Sequence, residues 1–316
     1  MAVLICAVAG LLAGCRSAPR SMPATTAPTA PPVEVMRRPA IDLTRGGAGF
    51  PLDLTLPPKS LDELTTGLER AYAARLEGTQ NIRITADGDS VTDLRSLEID
   101  LTNSSVRPNY TPLSQVENAK YAQFMHVKKL RYVADPLKYQ NYAASMVLEA
   151  NDADLALTAS DDKKLALALT NCSTGSARLT IDLRDLESGL AAGSRLRSTM
   201  AFGIDSIGLQ LRSSTKQTLE AVLTINARVL MLPARFRLTG RADIDDQFRV
   251  HFTNLNAEGD DPAGAMVAAV VQGKLDKLNN RAAPLLKLPG DRIHIDDLQF
   301  MLDSNLRINI QFSGQK

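Results

Sequence analysis

Beyond Gly78 the apolar residues of this chain recur at every second position, and the pattern persists almost to its end. Such a period belongs to strands with one face in water and one in an apolar layer. It is carried by Ile82-Ile84-Ala86, Leu97-Ile99-Leu101, Leu130-Tyr132-Ala134, Met146-Leu148-Ala150, Leu155-Leu157, Leu165-Leu167-Leu169 and Leu179-Ile181-Leu183. The second half is cleaner still. Met200-Phe202-Ile204 resumes as Ile207-Leu209-Leu211 with its parity shifted once at Asp205-Ser206, which predicts a bulge in a long strand. One parity then holds from Leu219 to Met231, followed by Phe236 to Ile244, a turn at Asp245-Asp246-Gln247 and a return through Phe248-Val250-Phe252. Strands of this length exceed the usual five or six residues and predict a large, curved antiparallel sheet rather than a small barrel. The chain closes on a hairpin, Leu298-Phe300-Leu302 and Leu306-Ile308-Ile310-Phe312, turning at Asp303-Ser304-Asn305.

Two helices interrupt this pattern. Ser60 and Glu63 form a capping box after Pro57-Pro58, and Leu61, Leu64, Leu68, Ala71, Tyr72 and Leu76 follow at helical spacing, predicting a helix over about 60–77. The second spans about 262–280, with Asp261 as N-cap and Pro262 in the first position. It carries no charge before Lys274, so its apolar circumference predicts burial on more than one side. The expected fold class is therefore α+β: a long antiparallel meander wrapped on two helices, forming one domain over residues 59–316.

The start of the chain has a different character. An apolar run from Met1 to Leu11 ends in Leu12-Ala13-Gly14-Cys15, and this ending resembles the lipobox of bacterial lipoproteins. The run is too short to span a bilayer, as a removable signal would be. It lacks the Lys or Arg of an ordinary signal n-region, a departure that an upstream start codon would account for. The resemblance implies a signal peptide over residues 1–14, acylation of Cys15 and a mature chain that begins there. Residues 15–58 are rich in Pro, Ala, Thr and Ser and cannot bury enough apolar surface to offset their ordering entropy, so they are expected to form a tether. By the same resemblance, Arg16 after the Cys, in place of Asp, implies an outer-membrane anchor facing the periplasm of a bacterial envelope.

The order of elements in the body, a helix, a long meander, a mostly apolar helix, the turn Leu288-Pro289-Gly290 and a closing hairpin, resembles the tubular lipid-binding (TULIP) group, to which bactericidal/permeability-increasing protein belongs. The likeness is one of architecture, covers about Ser60 to Phe312 and carries no signature residue. It implies a lipid held in an apolar groove between sheet and helix. The residues expected to line such a groove are Val267, Val270 and Val271 on the helix and Ile225, Val229, Phe236, Leu238, Phe248, Val250 and Phe252 on the strands. The periodicity is equally that of a dry core, so an anchored scaffold or partner-binding module is the alternative.

Enzymatic chemistry has little support. His126, His251 and His294 fall in no metal-ligand spacing, and phosphate-loop, dinucleotide and nucleophile-elbow motifs are absent. Asp87, Asp89 and Asp93, with Glu98 at the twelfth position, partly resemble a calcium loop, but Val91 and Thr92 stand where its fifth-position acid and sixth-position Gly belong. No metal, cofactor or catalytic residue is expected. A formal charge of +1 disfavours nucleic acid as a partner, and the absence of Trp weakens a carbohydrate reading. With Cys6 in the signal and Cys15 acylated, Cys172 stands without a disulfide partner and is expected to be a small structural residue.

Overall fold

The computed structural model describes residues 49–107, 122–139, 142–159, 164–195, 202–229, 232–245, 249–284 and 292–314. Cys15, Phe248 and the turn at 288–290 lie outside them.

The body is α+β, as expected, but its strands form two sheets rather than one meander. Strand β1 (Gly49–Leu52) precedes helix α1 (Leu61–Ala73), then come β2 (Leu76–Glu77), β3 (Arg83–Ser90), β4 (Asp93–Asp100), β5 (Ser105–Val106), β6 (Ala122–Tyr139), β7 (Tyr142–Ala159), β8 (Leu165–Asn171) and β9 (Thr174–Asp182). The closing hairpin, β15 (Ile293–Leu302) and β16 (Asn305–Gly314), rejoins this first sheet beside β9, giving the order β15-β16-β9-β7-β6-β4-β3. Most pairs are antiparallel, yet β4 and β5 run parallel to β6. The second sheet is a meander of β10 (Phe202–Thr215), β11 (Thr218–Val229), β12 (Leu232–Ile244), β13 (Arg249–Gly259) and the short β14 (Ala282–Pro284). Its β10–β11 register slips between Ile204 and Ser206, where the parity shift predicts a bulge.

Local chemistry explains the helix starts. The Ser60 hydroxyl accepts a hydrogen bond from the Glu63 amide at 3.2 Å, and the Glu63 carboxylate reaches back to the Lys59 amide at 2.6 Å. Helix α3 (Pro262–Leu275) is capped by Asp261, whose side chain accepts from the Gly264 amide at 2.6 Å and from the Arg235 amide at 2.7 Å. Both expected helices are shorter than their sequence patterns, since α1 ends before the β2 bridge and α3 ends at Leu275.

Two further corrections concern the chain between these landmarks. The stretch assigned to the tether contains β1, which pairs with β8 and buries Phe50 and Leu52, so the ordered body begins before residue 59. A third helix, α2 (Leu183–Arg195), lies where the alternation Leu179-Ile181-Leu183 predicts only strand. The strand stops at Asp182, whose carboxylate accepts from the Arg184 amide at 2.7 Å, and Leu183, Leu186 and Leu190 then pack at helical spacing.

Two apolar cores result. The first holds Leu64, Leu68 and Tyr72 of α1 against Leu94, Leu97, Ile99, Met125, Val127 and Leu130 of the first sheet. The second holds the apolar face of the second sheet against Ala268, Val271 and Leu275 of α3 and Leu298, Phe300 and Leu306 of the closing hairpin. The hairpin thereby ties the cores together, and the Phe300 amide donates to the Lys216 carbonyl at 2.7 Å. Gly264 sets the approach of α3 to β12, because a Cβ there would stand 2.0 Å from the Arg235 carbonyl oxygen. Gln272 holds the other end of α3, accepting from the Ala257 amide at 2.7 Å.

Candidate functional site

The described residues expected to line a groove along α3 lie in three different settings. Ile225, Phe236, Leu238, Val250, Phe252 and Val271 are between 0% and 4% exposed and pack against one another. A side chain facing an acyl groove keeps accessible surface toward it, and these have essentially none, so this set forms a dry core. Val267 and Val229 are half-buried. Val270 points the other way, 57% exposed on the outer face of α3. The expectation that α3 is buried on more than one side is therefore corrected: the sheet covers Gly264, Ala268, Val271 and Leu275, while Ala265, Met266, Ala269 and Val270 face solvent.

A different part of the apolar surface fits a ligand better. Strand register lines up rows across the inner face of the first sheet. One row runs Ile99, Tyr132, Leu148, Ala177, Ile310 and Leu298, and the next runs Ala134, Met146, Leu179, Ile308 and Phe300. A third runs Leu137, Ala144, Ile181, Leu306 and Leu302. The first two rows are closed at both ends, with Ile99, Ala134, Leu298 and Phe300 at most 4% exposed, whereas the third ends on half-buried Leu137 and Leu302. The middle is open. Met146 is 37% exposed, Leu179 and Ile181 are half-buried, and these three are joined to neither core. An apolar strip about three strands wide, β7, β9 and β16, thus lies between α1 on one side and α2 with the second sheet on the other. The alternation marks Met146, Leu148, Leu179 and Ile308 as strand residues. Which of them escape cover depends on where the helices land, and no local signal reports that.

Polar clusters elsewhere are ion-paired or hydrogen-bonded among themselves. Asp87 and Asp89, read above as a partial calcium loop, face Arg95 at 2.7 and 3.4 Å, and the Arg95 hydrogen bond holds the Asp87 carboxyl below its usual range. His126 meets Asp154 at 3.0 Å and His251 meets Asp245 at 2.6 Å, where Arg249 also binds at 2.9 Å. The Arg241 guanidinium, with help from the Thr218 hydroxyl, holds the Asp243 carboxyl low. Among the described residues no group of three or more His, Cys, Asp and Glu could hold a metal ion. A cleft of about 300 Å³ between α2 and β10 is lined by the mixed set Arg184, Glu187, Ser188, Ala191, Ser206 and Ile207.

Cys172 is 2% exposed, and burial, with Asp296 and Asp154 adding like charge, pushes its thiol up to about 11. The thiolate is the reactive form, so Cys172 is expected to resist alkylation at neutral pH until the protein unfolds. Rapid labelling by iodoacetamide under native conditions, read by intact mass, is the contrary result.

Among the described residues no helix is long and apolar enough to cross a membrane. Comparison with protein-family models, with characterised proteins and with solved structures finds no match to this chain.

Proposed function

We propose that this chain is an envelope lipoprotein, anchored through acylated Cys15 and facing the periplasm from the outer membrane, which binds lipid on the strip around Met146, Leu179 and Ile181. The supporting observation is that Met146 is 37% exposed and Leu179 and Ile181 are half-buried, all three joined to neither core, in the middle of an apolar sheet face. Leaving such a face in water costs about 25 cal/mol for each Å² of apolar surface, which an acyl chain laid along it would recover. The likeness to the tubular lipid-binding group belongs to this proposal, with the groove moved from α3 to β7, β9 and β16. No catalytic residue is part of it.

The reading as an anchored scaffold draws support from the dry packing of Phe236, Val250, Phe252 and their neighbours. Native mass spectrometry after mild extraction separates the two. The lipid reading expects a co-purifying lipid, whose occupancy falls at least about tenfold when Met146→Glu and Leu179→Glu set carboxylates against its chain. Both positions retain access to water, so the fold should survive. A wild-type protein free of lipid, or a double variant with its full load, would leave the scaffold reading standing.

A further inference from the structure

Helix α3 is apolar nearly all round, yet only one side is covered. Met266 at 75% and Val270 at 57% are among the most exposed large apolar side chains of the described residues, and Leu232 at 62% belongs with them. Leu232 has the parity of Ala234, which is buried, and of Phe236 and Leu238, which face the second core. It therefore projects from the side of the sheet on which α3 lies. Arg235, three residues on, contacts the start of α3 through Asp261 and Gly264, so Leu232 extends past the helix N-terminus by about 10 Å of strand. The connection it follows reads Leu230-Met231 in sequence, where Gly, Asn or Asp is usual.

We infer that the outer face of α3, together with Leu232, docks on a lipid surface. Two arguments favour a bilayer over a protein. Stable protein interfaces use about 20–30 residues a side around a packed core, and here a few flexible side chains stand out from a helix ridge and a strand end. A fluid bilayer accepts protruding apolar groups without a matching pocket, and its affinity scales with the apolar area inserted. The second argument is proximity. The stretch from Cys15 to Gly49 reaches at most about 120 Å when fully extended, so a body anchored at Cys15 meets lipid at high effective concentration.

Charge is consistent with this orientation. Asp260 is paired with Arg235 at 3.1 Å and Asp261 is used in capping, while Lys277 stands exposed beyond the last turn of α3. Asp276 beside it accepts from Gln272 at 2.7 Å. The inference rests on the membrane tether proposed above and is independent of the strip on the first sheet.

The test uses the mature chain from residue 15 with Cys15→Ser, so that no acyl group contributes. It is floated with vesicles of phosphatidylethanolamine and phosphatidylglycerol. Flotation is expected, with at least about a tenfold fall in the bound fraction for Met266→Glu with Val270→Glu, and a smaller fall for Leu232→Glu. The Met146→Glu and Leu179→Glu pair should float like its parent, which separates failure of the docking surface from failure of the groove. Because the sequence has no Trp, Val270→Trp supplies a unique fluorophore whose emission should shift to the blue on the vesicles. Absence of flotation, an unchanged bound fraction in the double glutamate variant or an unshifted Trp spectrum overturns the inference. So does a dimer that this variant dissolves without any vesicle binding, since the face would then belong to a second copy.

Discussion

Cys15→Ser is expected to move nearly all of the protein from the membrane to the soluble fraction. The effect should be close to all-or-none, because acyl chains contribute about 0.8 kcal/mol for each buried CH₂ and the substitution removes them together. Docking through α3 would leave a reversible bound fraction that is small in a washed membrane pellet and is seen by flotation only with vesicles in excess. Fractionation with a blot for the body reads the outcome, and intact mass of the wild type should show a diacylglyceryl-modified Cys15 at the N-terminus. A Cys15→Ser variant that stays equally membrane-bound and uncleaved would remove the basis for reading Leu12-Ala13-Gly14-Cys15 as a lipobox, and with it the proximity argument for docking.

Local signals carried much of the fold. The capping box at Ser60, the Asp261-Pro262 start and the parity shift at Asp205-Ser206 each depend on contacts within a few residues, and each has its counterpart in the structure. Helix α2 was hidden because Leu183 continues the strand parity of Leu179 and Ile181 before Leu186 and Leu190 reveal the helical period. Strand β1 was hidden by the Gly and Pro around Phe50, which read as tether although the segment pairs with β8. The division into two sheets follows from β16 choosing β9, more than a hundred residues earlier, a pairing that no periodicity encodes.

The candidate sites show the same boundary between local and tertiary information. An apolar helix circumference states that water is unfavourable all round α3, but it does not state what replaces the water. Of the residues expected to line the groove, Phe236 and Phe252 face packed neighbours and Val270 faces out, while Val267 and Val229 are half-buried. The strip at Met146 and Leu179 has the alternation of every other strand here. It differs only in lying between the areas covered by α1 and by the second core.

The second large effect tests that packing. Phe236 is fully buried, registered between Ile225 on β11 and Gly259 on β13. Phe236→Ala should cost about 3–5 kcal/mol, combining lost transfer energy with the cavity left behind. In a body of this size that corresponds to a fall in melting temperature of about 2–4 °C for each kcal/mol, read by calorimetry. Val270→Trp, on the same core's helix but pointing outward, should change stability by no more than about 0.5 kcal/mol, whereas the same bulk forced into a packed interior costs about 1–3 kcal/mol. If Val270→Trp were the more destabilising of the two, the outer face of α3 would have to be covered within the protein, and both the dry core and the docking surface would need to be redrawn. A large loss at Phe236 with none at Val270 would instead leave the exposed face of α3 free of any role in folding, as a surface kept apolar for contact with something outside the chain must be.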